Sequence, residues 1–91
     1  MIEAGECSAV ANLLARKYAA AEKHSAALKL WGLSSQLEEV SSKGFSEGGD
    51  PLAYVYSKKA MESKYETANI GKIEIVWNKM RGSCQRIVTT E

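Results

Sequence analysis

The stretch SAVANLLARKYAAAEKHSAALKLWGLS, residues 8–34, decides the fold. Ser8 is placed to cap a helix over 9–22, in which Val10, Leu13, Leu14, Tyr18 and Ala21 recur at three- and four-residue intervals. The pattern breaks at Glu22 to His24, Ser25 offers a second cap, and Ala27, Leu30, Trp31, Leu37 and Val40 resume helical spacing to about residue 40. Small residues at Ala11, Ala15, Ala27 and Ser34 leave room for Tyr18 and Trp31 to dock between the two helices. The stretch therefore predicts an antiparallel helical hairpin over 8–41 in which Trp31 is structural. Gly32 weakens a helix interior by roughly 1 kcal/mol relative to Ala, so a packing reason is expected for it, such as close approach of a neighbouring backbone.

Outward from the hairpin, residues 41–50 read as a loop rich in Ser and Gly that carries one aromatic, Phe45. Asp50-Pro51 is a helix-start signal, because Asp accepts free backbone amides and Pro at the first helical position sacrifices no hydrogen bond. A third helix is expected over 51–69, with Tyr54, Met61, Tyr65 and Ala68 on one face, Lys58 paired to Glu62 on its surface, and Asn69 to Gly71 ending it. The last element, 72–90, fits two readings. Ile73, Val76, Trp77, Met80, Cys84, Ile87 and Val88 make a helical stripe, whereas Ile73, Ile75 and Trp77 alternate as in a β-hairpin turning at Arg81-Gly82-Ser83. The expected class is all-α, a single domain of about four helices built on the N-terminal hairpin. The alternative is α+β, with a β-hairpin at 72–90.

Composition bounds the function. Ninety-one residues, 45% hydrophobic and 25% charged, make one packed domain near the lower size limit for a core unaided by metals or disulfides. The net charge of +1 gives no global pull toward nucleic acid or anionic membrane. It divides unevenly: residues 1–50 hold five basic and seven acidic side chains, and residues 51–91 hold seven and four. No apolar run approaches the roughly 18 residues of a membrane span, and Glu3 and Glu6 replace the basic start of a signal peptide. A cytoplasmic location is expected, and Cys7 and Cys84 are expected as two reduced thiols. A bridge between them would close almost the whole chain and would need an oxidising compartment.

No constellation for catalysis, a metal or a cofactor emerges. The chain has one His and no His-Cys cluster, and His24 falls at the hairpin turn. Glu38 and Glu39 diverge from adjacent helix positions, and Gly48-Gly49 lacks the Lys-Ser/Thr of a phosphate-binding loop. Two binding surfaces are left. One gathers Phe45, Tyr54, Tyr56, Met61 and Tyr65 along the 41–50 loop and the third helix, with Lys58, Lys59 and Lys64 to steer toward an acidic protein. The other is a basic run of Lys72, Lys79, Arg81 and Arg86 beside Trp77, interrupted by Glu74 and Glu91, which suits nucleic acid or an acidic surface.

Two family resemblances attach to these residues. Ala11, Leu14-Ala15, Tyr18, Ala27 and Trp31 resemble one tetratricopeptide-type helical hairpin, though Glu22 stands where that family has its turn glycine and no second repeat follows. Ala26, Ala27, Leu30 and Trp31 with Trp77, Arg81 and Cys84 resemble the ANR and PerC-like small bacterial regulators. That second resemblance implies a non-enzymatic regulator that binds a transcription or nucleoid protein. The expected function is a small protein-binding regulator or inhibitor of bacterial or phage type, acting by covering a surface of a larger protein. The alternative is a nucleic-acid-binding protein that uses the basic C-terminal element.

Overall fold

The helix expected to start at Ser8 begins at Ile2, and Ser8 lies inside it. In the computed structural model, which describes residues 2–46, 48–49 and 51–89, α1 runs Ile2–Ala20, α2 His24–Ser46, α3 Pro51–Tyr65 and α4 Ile70–Thr89. The fold is all-α, and among the described residues there is no strand. Residues 70–89 form one helix in place of the alternative β-hairpin. Its stripe of Ile73, Trp77 and Cys84 is buried, and Val76, Met80, Ile87 and Val88 pack against the core. The β-branched residues give way because the helical stripe turns all seven of these side chains toward the core, three buried and four partly buried, which an alternating strand cannot do.

Helix α1 is the central element. Residues 7–11 are buried all round, as are Leu13, Leu14 and Ala15, which is the mark of a helix surrounded by others rather than one with a single apolar face. Its small side chains allow this close approach. Ser8 does not cap; its hydroxyl lies 3.2 Å from that of Ser34, so the two buried polar groups satisfy each other across the α1–α2 contact. Gly5 makes the tightest approach: a Cβ there would collide with Ser57 Oγ and come within 2.5 Å of the Tyr54 carbonyl oxygen on α3. Gly32, the expected site of a close contact, has nothing within 4 Å of where its Cβ would be.

The turn after α1 keeps a backbone geometry that favours glycine. Lys23 N–H donates to the Tyr18 carbonyl at 2.8 Å, Glu22 N–H donates to Ala19 at 3.1 Å, and Glu22 carries a φ of 63°. Helix α2 then continues through the segment expected to be a loop. The Ser41 hydroxyl donates to the Leu37 carbonyl at 2.9 Å, so this serine satisfies its buried hydroxyl within the helix it was expected to end. Ala27, Leu30, Ser34, Leu37 and Ser41 form the buried stripe of α2, and Trp31, one position away, is 38% exposed. Trp77 takes the interior role instead, at 8% exposure. The helix ends where Gly49 N–H donates to the Gly44 carbonyl at 2.7 Å, with Gly48 at φ 98°.

Pro51 opens α3 as expected, and the Asp50 cap lies outside the described residues. The third helix stops at Tyr65, short of the expected 69, because Asn69 serves the next helix: its side-chain oxygen accepts from Lys72 N–H at 2.9 Å and caps α4. Lys58 reaches across to Glu38 on α2 at 3.2 Å instead of along its own helix to Glu62.

Cys7 and Cys84, expected as free thiols, form a disulfide with Cα atoms 5.7 Å apart, and both are fully buried. At the other end of the same helix pair, the Tyr18 hydroxyl donates to Glu74 Oε2 at 3.0 Å. These two links set α1 and α4 antiparallel. No described helix is long and apolar enough to cross a membrane.

Candidate docking surface

Packing against α1 sorts the aromatic residues of α3 into two groups. Tyr54 is buried, and Met61 and Tyr65 rest against the core, because their face is the one α3 turns to α1. These three expected contact residues do structural work. The opposite face carries Leu52 at 59% exposure, Val55 at 40% and Tyr56 at 66%, which at i, i+3 and i+4 form one apolar patch on the first two turns. Lys59 continues the face one turn on and is exposed, while Lys58 is held by Glu38. The backbone of Phe45 lies in α2, and its side chain is outside the described residues.

Of the expected protein-contact residues, the structure brings Tyr56 and Lys59 together on one exposed face. Leu52 and Val55 were missed by sequence reasoning. Their signal was present, because assigning Tyr54, Met61 and Tyr65 to the inside puts positions 52, 55, 56 and 59 outside at helical spacing. A second, smaller apolar exposure lies on α2, where Leu28 and Trp31 are one turn apart.

The basic C-terminal run is divided by its own helix. Lys72, Lys79 and Arg86 recur every seven residues and share the outer face of α4 with exposed Ile75. Arg81 stands on the other side of the helix, where it borders a cavity of about 290 Å³ together with Trp77. Lys29 of α2 borders the same cavity, and Leu14, Leu30 and Tyr18 complete most of its wall. Trp77 is therefore part of the interior and not a stacking platform beside the lysines.

The electrostatics of the described surface are mild. Partial burial, the hydrogen bond to Glu74 and the charge of that carboxylate together raise the Tyr18 pKa above its ordinary value of 10.0. The Lys23 ammonium sits 5.6 Å from the Tyr18 ring centre, a cation–π contact that closes the end of the α1–α2 hairpin. Among the described residues no group of three or more His, Cys, Asp or Glu side chains converges to hold a metal. Comparison with protein-family models, curated proteins and solved structures finds no match to the chain.

Proposed function

We propose that this protein is a small non-enzymatic binding module that acts by stoichiometric occupation of a larger protein's surface, through the outer face of α3. The observation that carries the reading is the exposed apolar patch of Leu52, Val55 and Tyr56 followed by Lys59. In a domain this small, large apolar side chains are needed for the core, and three of them held outward on adjacent turns lose that burial. The complementary partner is an amphipathic helix whose apolar positions at i, i+3 and i+4 meet the patch and whose acidic residue meets Lys59. Tyr at the centre of such a patch supplies apolar area and a hydroxyl with little entropy to lose.

The Cys7–Cys84 bridge supports a place of action where disulfides persist, in preference to the expected cytoplasm. A transcription or nucleoid regulator, the partner implied by the ANR and PerC-like resemblance, sits in a reducing compartment, so the bridge weighs against it. Nucleic acid is the second reading, favoured by the seven-residue spacing of Lys72, Lys79 and Arg86 on one face.

The test places a photo-crosslinking phenylalanine analogue at Leu52, Val55, Leu28 or Ile75, one position per variant, in the producing cell. Adducts to one protein from positions 52 and 55, lost on Tyr56→Ala with the melting temperature nearly unchanged, are expected. Adducts from position 75 alone, or binding that falls steeply with salt and needs Lys79, would move the interface to α4.

A further inference from the structure

The cavity between α1, α2 and α4 combines an apolar wall with two cations drawn from different helices. Leu14, Leu30 and Trp77 are buried and form the wall, and Lys29 and Arg81 are exposed at the rim. Neither cation makes an ion pair with a described carboxylate, and none of the described lining residues is acidic. The nearest acid identified on α4 is Glu74, one turn before the lining residues Trp77 and Asn78, and it is engaged by the Tyr18 hydroxyl. Two like charges brought to one rim repel each other, and a bound anion turns that repulsion into two attractions.

The geometry points to this cavity as a binding site for a small apolar carboxylate, its tail against the accessible edges of Leu30 and Trp77 and its carboxylate between Lys29 and Arg81. The guanidinium of Arg81 offers the planar fork that matches a carboxylate, and Lys29 adds a point charge that can follow it. The cavity opens to solvent, and its volume of about 290 Å³ bounds the enclosed part of an occupant at about ten non-hydrogen atoms at the volume water takes in the liquid. Octanoate has that size and both halves of the chemistry. The site is separate from the α3 face, so each reading stands or falls without the other.

The experiment titrates octanoate into the full disulfide-bonded chain by calorimetry, with octanol as a tail without charge and acetate as a charge without tail. Trp77 emission is followed in a Trp31→Phe background, where it is the one remaining indole. Octanoate is expected to bind at least about tenfold more tightly than either control and to shift Trp77 emission. Arg81→Gln and Lys29→Gln are each expected to weaken octanoate about tenfold while leaving octanol unchanged. Both side chains are exposed, so neither change threatens the fold. Octanoate binding no tighter than octanol, no change in Trp77 emission, or octanoate affinity unaltered in both variants would each overturn the assignment.

Discussion

Reducing the Cys7–Cys84 bridge tests how this small bundle holds together, because reduction leaves every side-chain atom in place and removes one constraint. The bridge spans 77 residues of sequence, and the chain-entropy relation then gives about 4.5 kcal/mol of stabilisation through the unfolded state. A 91-residue domain is expected to have about 5–14 kcal/mol in all, so the bridge accounts for a third or more of it. With an unfolding entropy of about 2.1 cal/mol/K per residue, a loss of about 4.5 kcal/mol lowers the melting temperature by about 20 °C. The assay is thermal unfolding followed by far-ultraviolet circular dichroism, with and without a phosphine reductant, and with thiol titration to show that two thiols have appeared. Both sulfurs are fully buried, so reduction has to wait for α1 and α4 to part, and its rate reports that opening. A fully reduced chain that melts within about 5 °C of the oxidised one would refute the reasoning, since packing alone would then hold the α1–α4 contact.

The two tryptophans should behave oppositely: Trp77→Ala is expected to cost about 3–5 kcal/mol and Trp31→Ala far less, measured by urea denaturation, and the reverse order would mean that the core is drawn on the wrong face of α2. Gly32→Ala should raise stability by about 1 kcal/mol, because its Cβ meets open space, whereas Gly5→Ala should lower it by about 1–3 kcal/mol by pushing α3 off α1; equal effects in denaturation would contradict the close approach. Glu22→Gly should stabilise by up to about 1 kcal/mol by relieving the positive φ after α1, again read from the denaturation midpoint. The Tyr18 pKa is raised in the fold, so its contribution is full below about pH 10 and is lost as pH rises through the folded value. The stability advantage of the wild type over Tyr18→Phe should accordingly be constant to about pH 10 and shrink above it, and an advantage that stays flat would contradict the hydrogen bond to Glu74.

Periodicity reveals which residues share a helix face, and it did so for α3 and α4: Tyr54, Met61 and Tyr65 lie together, as do Ile73, Trp77 and Cys84. It does not reveal which of two faces a neighbour will cover. On α2 the inner stripe alternates aliphatic residues with Ser34 and Ser41, whose hydroxyls are satisfied by Ser8 and by the Leu37 carbonyl. Serines normally argue against burial, so the stripe was hidden and the larger Trp31, one position off it, drew the assignment. The same effect made residues 41–46 read as a loop. Gly5 went unread for a related reason, since residues 7–11 of α1 are buried all round and periodicity there does not show which neighbour is closest.

The disulfide was the feature most open to inference once the helices are antiparallel. From Cys7 to Tyr18 is eleven residues along α1, and from Glu74 to Cys84 is ten residues along α4, so the register that sets Tyr18 against Glu74 carries the two cysteines to the same level at the far end. Treating residues 72–90 as helix or hairpin left that register undefined, and the cysteines were then weighed by compartment instead of by geometry. The bridge and the hydrogen bond clamp both ends of one helix pair, and that pair, together with α2, lines the cavity bordered by Lys29 and Arg81. Helix α3 lies outside this clamp, packed chiefly on α1 through Gly5 and tied to α2 at Lys58–Glu38. The clamped pair therefore helps shape the cavity, while the face carrying Leu52, Val55 and Tyr56 is turned away from it, on a helix held to α1 by close packing at Gly5 and not by a covalent link.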